Sequence, residues 1–174
     1  MVIVLMGVAG SGKTSVGEAL ARRLGWPFHD ADDFHSAPNR EKMRRGIPLD
    51  DDDRRPWLEA IRASIVQSAS RSENAIYACS ALKRAYRQLL AVDTEEVKFV
   101  YLKGSPELIA QRLADRRGHF FDPALLQTQF NDLEEPHGAL QIDISSPPET
   151  IADSIIASIG LRQGWSAVNT QRKS

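Results

Sequence analysis

The chain has 174 residues, of which 42% are hydrophobic and 26% charged, and a formal net charge of −1. This composition is typical of a soluble globular domain and gives no electrostatic reason to expect nucleic acid or an anionic membrane as a partner. The single cysteine, Cys79, excludes an internal disulfide, and the sequence has neither a membrane-spanning apolar run nor the features of a signal peptide. We therefore expect a cytoplasmic protein.

Five short apolar segments, each followed by a helical pattern, predict an α/β fold with a parallel sheet. The predicted strands are Val2–Met6, Trp26–His29, Ala75–Cys79, Val97–Leu102 and Ala139–Ile144. The predicted crossover helices are Thr14–Leu24, Leu82–Leu90, Pro106–Leu113 and Pro148–Ile159, two of which open with a proline, as first helical turns tolerate.

Two stretches depart from this alternation. The segment from Ser36 to Ser72 is too long for a simple crossover, so we expect a helical insert over about 36–72 on the edge of the core. A compact polar loop around Gly118 is a candidate lid, over about 116–130. We expect one domain over 1–161, followed by a polar tail, 162–174, to which no role is assigned.

The first predicted strand leads into GVAGSGKT, Gly7 to Thr14, and then into a helix. This is the phosphate-binding pattern G-x-x-x-x-G-K-[ST] in its expected context of strand, glycine-rich turn and helix. Backbone N–H groups of the turn and the helix N-terminus bind phosphate oxygens, the lysine contacts the β- and γ-phosphates, and the hydroxyl ligates Mg²⁺. The predicted nucleotide-binding residues are Gly7, Val8, Ala9, Gly10, Ser11, Gly12, Lys13 and Thr14.

The acidic stretch HDADDFH follows the second predicted strand, whose carboxyl end faces the ligand crevice in a doubly wound sheet. Strand alternation would point Asp30 and Asp32 to one side and Asp33 away. We hypothesise that Asp30 supports Mg²⁺ and that Asp32 receives the proton of an acceptor hydroxyl. Two alternatives are turn or helix capping, expected for Asp33, and a transition-metal site that uses His29 and His35.

Basic residues follow in the insert and after the third strand. Arg54 is a substrate candidate, whereas the acidic run Asp50–Asp53 before it is expected to cap a helix. Lys83 and Arg87 lie one turn apart and suit a carboxylate-bearing substrate, although a solvated helix face is the alternative.

Arg112 and Arg116 share a helical face and lead into the candidate lid, where cations can stabilise the charge of a transferred phosphoryl group. A solvent-facing arginine pair is the alternative interpretation. No guanine-reading N-K-x-D motif is present, so a GTPase is not indicated.

Several motifs in order resemble those of small P-loop gluconokinases. They are GVAGSGKT, DADDFH, SAPNREKMRRGIPLDDDDRRPWL, CSALKRAYR, VYLKG, RRGHFF and LLQTQFNDLEEP, and the resemblance covers Val2 to Ile159. It implies phosphorylation of D-gluconate to 6-phospho-D-gluconate with ATP and Mg²⁺, a homodimer, and a fold similar to shikimate and nucleoside monophosphate kinases. That fold is a three-layer α/β/α P-loop kinase core with five parallel strands, a substrate-binding insert and a lid.

Carried over by position, the resemblance places Gly10–Thr14 in the ATP loop, Asp30 and Asp32 beside the metal and the acceptor hydroxyl, and Arg112 and Arg116 in the lid. Pro147 lies where adenine is held. The catalytic candidates are Lys13, Asp32 and Arg116, and the acceptor candidates are Asp32, His35, Arg54, Lys83, Arg87 and His119. Asp33 is an additional acid where relatives also have an apolar residue.

Spacing alone does not name the acceptor. A kinase for another small hydroxy acid such as shikimate is one alternative, and a nucleotide-dependent regulatory ATPase is another.

Overall fold

The computed structural model describes residues 1–92, 96–115 and 123–161. Their five strands form one parallel sheet in the order β2-β3-β1-β4-β5. The strands are β1 (Val2–Met6), β2 (Phe28–Asp30), β3 (Ala75–Ala78), β4 (Val97–Lys103) and β5 (Leu140–Asp143). The predicted α/β class with five parallel strands is confirmed.

The described residues also form seven α-helices and one short 3₁₀ helix. The α-helices are α1 (Lys13–Leu24), α2 (Ala37–Arg44), α3 (Asp51–Ser70), α4 (Arg84–Leu90), α5 (Pro106–Ala114), α6 (Pro123–Asp132) and α7 (Pro148–Ile159). The 3₁₀ helix, Ala31–Phe34, follows β2 directly. None of the helices in these ranges combines the length and the apolar character needed to cross a membrane.

The central strand β1 separates two apolar layers because its side chains alternate between the faces of the sheet. Ile3 and Leu5 pack with residues of α1, α5 and α7 on one face. Val2, Val4 and Met6 pack with residues of α3 and α4 on the other. The fold therefore has three layers, and the loops at the carboxyl ends of the strands lie along one edge.

The predicted insert differs from the structure in one respect. Ile61 and Ile65 of α3 are fully buried against the sheet, so the second half of this helix belongs to the core layer. The acidic run before it caps the helix as expected, because Asp50 and Asp53 form a capping box. The predicted tail 162–174 and most of the candidate lid, residues 116–122, lie outside the described residues.

Candidate active site

The turn between β1 and α1 has a backbone that requires glycine. Gly10 has a φ of +82°, and a Cβ at this position would lie 2.8 Å from Cγ of Leu113. Gly12 precedes α1 with a φ of +92° and provides no side-chain cap. The first N–H groups of α1 therefore have no side-chain cap and are oriented to bind an anion.

Lys13 and Thr14 begin α1 and extend from the turn in different directions. The Lys13 ammonium donates to the carbonyl oxygens of Gly7, at 2.9 Å, and Val8, at 3.0 Å. The Thr14 hydroxyl donates to Asp30 Oδ2 at 2.9 Å. This bond joins the phosphate loop to the end of β2 and places a hydroxyl and a carboxylate side by side.

Asp30 and Asp32 line the same cavity, although not through strand alternation. β2 ends at Asp30, and the following 3₁₀ helix turns Asp32 back towards Asp30, whose Oδ1 accepts the Asp32 backbone N–H at 3.1 Å. Asp30 thereby takes the capping role that we expected of Asp33. Asp33 is exposed, and its carbonyl accepts a bond from Arg40 at 3.4 Å.

The surroundings of Asp32 stabilise the protonated form of its carboxyl group relative to the same group in water. Burial, followed by the neighbouring Asp30 carboxylate, raises the pKa of Asp32 above its ordinary value of 3.8. Burial also lowers the pKa of His35 below 6.5, so this imidazole is favoured in its neutral form. A carboxylate with a raised pKa is a better proton acceptor than an ordinary surface carboxylate.

The indole of Trp57 supports this acidic turn from α3. His35 stacks on it with a centroid distance of 4.6 Å and an interplanar angle of 7°. The Trp57 Nε1–H donates to the carbonyl oxygen of Ala31 at 2.7 Å, in a buried bond. Nδ1 of His35 is buried without a hydrogen-bond partner among the described residues.

A cavity of about 460 Å³ joins the phosphate loop to the acidic turn and the insert. Its lining includes Lys13, Thr14, Asp30, Asp32, His35, Arg54, Trp57 and Tyr86, together with α6 residues Leu125, Thr128, Gln129 and Asp132. A space of this size suits a small polar acceptor beside a phosphate group.

Charged side chains cluster at the insert side of this cavity. The Arg54 Nη1–H donates to the Tyr86 hydroxyl at 3.4 Å, and the guanidinium lies 6.0 Å from the Tyr86 ring centroid. The Tyr86 hydroxyl donates to Asp51, which also pairs with the Lys83 ammonium at 2.8 Å. Lys83 precedes α4 and, unlike Arg54 and Tyr86, does not line the cavity.

The structure does not bring Arg87 to the cavity, contrary to the expectation that it contacts the acceptor. Its buried guanidinium donates to the carbonyl oxygens of Ala81, at 3.0 Å, and Leu82, at 2.6 Å. Ala81 has a φ of +41°, an unfavourable value for a residue with a side chain. Arg87 therefore holds the loop after β3 and lines a separate cavity beside α4.

Two further nucleotide candidates, Arg112 and Pro147, lie outside the cavity lining, and Arg112 lies near the phosphate loop. The Arg112 guanidinium donates to the carbonyl oxygen of Ile144, and its Nη1 would lie 3.8 Å from a Cβ at Gly12. Pro147 precedes α7, in the loop after β5. Arg116 and His119 lie outside the described residues.

The described part of the chain contains no group of three or more His, Cys, Asp and Glu residues that could hold a metal ion. His29 stacks on Tyr77 at 4.9 Å, and His35 stacks on Trp57. The alternative transition-metal site therefore has no support among these residues.

Comparison with known proteins agrees with this geometry. The family model described as shikimate kinase matches residues 9–157. The thermoresistant gluconokinase of Escherichia coli (strain K12) is 42% identical over 159 residues, which cover 89% of this chain and 91% of the relative. A solved gluconokinase structure from Sinorhizobium meliloti 1021 is 45% identical, with a TM-score of 0.82 and coverage of 91% and 90%.

The chain belongs to the gluconokinase family. A sugar kinase structure from Janibacter sp. HTCC2649 has the same fold, with a TM-score of 0.84, 38% identity and coverage of 92% of this chain and 94% of that one. The resemblance inferred from the ordered motifs is confirmed.

Helix α6 contributes to the gluconokinase cavity, which was not predicted from the sequence. Leu125, Thr128, Gln129 and Asp132 all line it. Their spacing of i, i+3, i+4 and i+7 places them on one helix face, so the periodicity of LLQTQFND could have identified them. Tyr86 and Trp57 carried no comparable signal, because aromatic residues at helical spacing are typical of a core.

Proposed function

We propose that this chain transfers the γ-phosphoryl group of ATP to D-gluconate and yields 6-phospho-D-gluconate. The main observation in its support is that the phosphate loop, Asp32 and Arg54 of the insert line one cavity. Nucleotide, proton acceptor and a cation for an acid group therefore border the same space. The 42% and 45% identities with gluconokinases favour gluconate over shikimate and over a regulatory ATPase.

The phosphate loop and the residues near it bind ATP. The backbone N–H groups of Gly10–Thr14 and the Lys13 ammonium bind the β- and γ-phosphates. Arg112 and Arg116 add positive charge towards the transferred group, and Pro147 lies in the loop beside the adenine.

Thr14 and Asp30 fit a magnesium ion. Their Oγ1 and Oδ2 atoms lie 2.9 Å apart, and Mg²⁺ prefers oxygen ligands, using one or two protein groups together with substrate phosphates. The lack of a larger ligand cluster among the described residues is in keeping with such a site. When bound, Mg²⁺ neutralises charge on the phosphoryl oxygens.

At the side of the cavity that binds gluconate, Asp32 is the proton acceptor. Its carboxylate takes the proton of the acceptor hydroxyl as the new oxygen–phosphorus bond forms and the bond between the γ-phosphorus and the bridging oxygen breaks, which releases ADP. Trp57 and His35 fix the turn that carries Asp32. Arg54 faces the carboxylate of the acid and keeps its position through Tyr86. Lys83 adds charge at the rim, and His119 of the candidate lid is a further predicted acceptor contact.

A coupled ADP-release assay across a panel of acceptors tests this proposal. We expect D-gluconate to accelerate ADP release strongly, with little effect of shikimate, D-glucose or D-sorbitol. ADP release that does not depend on any acceptor would instead support a regulatory ATPase. Preferential turnover of shikimate would contradict the acceptor assignment.

A homodimer, a cytoplasmic location and the lack of nucleic-acid or membrane partners stay predictions from the sequence. So do the boundaries of the single domain at 1–161 and of the lid at about 116–130. Size-exclusion chromatography with light scattering would measure the oligomeric state directly.

A further inference from the structure

A carboxylate of the chain itself lies among donors at the acceptor side of the cavity. The Asp51 oxygens lie 2.8 and 3.0 Å from the Lys83 ammonium, and Asp51 also accepts the Tyr86 hydroxyl. Arg54 shares that hydroxyl at 3.4 Å. We call Asp51, Arg54, Lys83 and Tyr86 the Asp51 cluster. Arg54 and Tyr86 line the cavity, so Tyr86, one of these two donors to Asp51, and Arg54, which donates to the same Tyr86 hydroxyl, both border the space for an acceptor.

The contacts of Asp51 can be exchanged, because its ion pair with Lys83 is weak and an incoming carboxylate would accept the Tyr86 hydroxyl in its place. The side chain of Asp51 is 64% exposed and that of Lys83 is 30% exposed, and such a pair contributes little to stability because water competes for both charges. A second carboxylate of suitable geometry could therefore replace that of Asp51 at small cost.

Helix α3 does not need the Asp51 carboxylate for its N-terminal cap. Asp50 and Asp53 form the capping box, and Asp53 also pairs with Lys42 at 2.7 Å. Asp51 lies in the same first turn, but its side chain is directed to α4 instead of the helix end. The Asp51 side chain can therefore turn outwards while the cap stays intact.

We propose that Asp51 is an internal competitor for the acceptor's carboxylate and so sets the affinity of the site for sugar acids. The acid takes the place of Asp51 as the acceptor of the Tyr86 hydroxyl and pairs with the neighbouring Arg54, and Asp51 turns towards solvent. A neutral polyol brings no charge to exchange and leaves the Asp51 cluster as it is. This proposal rests on the proposed function, because it assumes that an acid occupies the cavity.

Asp51→Asn tests the proposal, with Asp52→Asn as the matched control. Asp52 is the next residue, is 94% exposed, and among the described residues has only a 3.9 Å contact to Arg55, so both variants lose one negative charge from the same turn. We expect the KM for gluconate to fall about two- to fivefold in Asp51→Asn, because the free energy of an exposed ion pair corresponds to a change of this size. The KM should stay unchanged in Asp52→Asn. D-sorbitol has the polyol chain without the carboxylate, so its inhibition constant against gluconate should not change in either variant.

A purely structural role of Asp51 predicts the opposite change in the KM for gluconate. If Asp51 only clamps α3 to α4, its loss would raise the KM for gluconate, which would overturn the proposal. An unchanged KM, an equal fall in Asp52→Asn, or a parallel change for D-sorbitol would overturn it as well. Asp51→Ser, which also removes the charge, should reproduce the result of Asp51→Asn.

The assay also separates this proposal from the one on which it rests. Wild-type protein without gluconate-dependent turnover would contradict both the proposed function and the role of Asp51. Turnover with an unchanged KM in Asp51→Asn would contradict only the role of Asp51.

Discussion

The side-chain oxygen Oε1 of Gln129 accepts a hydrogen bond of 2.6 Å from the backbone N–H of Ala9. Ala9 belongs to the phosphate loop, and Gln129 belongs to α6, the helix that follows the candidate lid. The side chain thus uses a loop N–H group of the kind that binds phosphate oxygens. Nucleotide binding and the position of α6 are therefore coupled at this bond.

Gln129→Glu should weaken nucleotide binding. A carboxylate would hold the Ala9 N–H more strongly than the amide oxygen does and would repel the phosphates. We expect the Kd for ATP, measured by isothermal titration calorimetry, to rise about tenfold. Gln127→Glu is the matched control, because Gln127 is exposed on the same helix and bonds to Asn131 instead. Equal Kd values for the two variants would contradict this coupling.

Asp32→Asn should remove the proton acceptor while preserving ATP binding. The amide has a similar shape but cannot take a proton, so we expect kcat to fall by about 10²- to 10⁴-fold. Asp33→Asn is the control, because Asp33 is the adjacent acid and does not line the cavity. If Asp32→Asn retains most of its turnover, or if Asp33→Asn loses as much, the assignment of the base is wrong.

Thr14→Val should change the magnesium dependence of the reaction. Valine fills a similar volume but lacks the hydroxyl that lies 2.9 Å from Asp30 Oδ2. We expect the Mg²⁺ concentration for half-maximal activity to rise by about tenfold or more, while Thr14→Ser stays close to the wild type. A serine variant as impaired as the valine variant would show that the methyl group of Thr14, not its hydroxyl, is needed.

Asp53→Asn should lower the melting temperature, with an effect that depends on pH. The hydrogen bond from Lys42, followed by that of the Asp50 backbone, holds the pKa of Asp53 below its ordinary value of 3.8. A depressed folded-state pKa stabilises the fold above the unfolded pKa, and this stabilisation is lost as pH falls through the folded pKa.

The difference in melting temperature between wild type and Asp53→Asn should therefore be constant above the ordinary pKa of 3.8 and shrink below it. Asp52→Asn is the control, because its side chain is 94% exposed and its 3.9 Å contact to Arg55 is long for an ion pair. A difference that shrinks well above the ordinary pKa would indicate that another group is responsible.

The sequence was sufficient for the sheet and the phosphate loop because both have strong local signals. Buried strands are continuous apolar runs, and the glycines of the loop are required by its backbone. The bounds of β2 were less accurate, with Phe28–Asp30 in place of the predicted Trp26–His29. In the described sheet this strand lies at the edge and pairs with β3 alone, so few contacts fix its bounds.

The contacts of individual site residues were harder to predict because they depend on tertiary geometry. Asp30 and Asp32 both line the cavity, but through a 3₁₀ turn that strand alternation does not describe. Arg87 was predicted to contact the acceptor because its charge and spacing suit a carboxylate. In the structure it donates to the carbonyl oxygens of Ala81 and Leu82, and a sequence pattern does not show that these oxygens need a donor. Gln129 was missed although its helical spacing was readable in the sequence.

Helix α3 is a single rod that is anchored in the core at Ile61 and Ile65 and bears Arg54 and Trp57 at its other end. Those two side chains are therefore held in position by a helix that packs against the sheet. The loop between α2 and α3 lines the same cavity from Gly46 to Leu49, and none of these four residues is buried. Redesign for a longer or shorter sugar acid should begin in this loop, where the chain can change length without disturbing the hydrophobic interior.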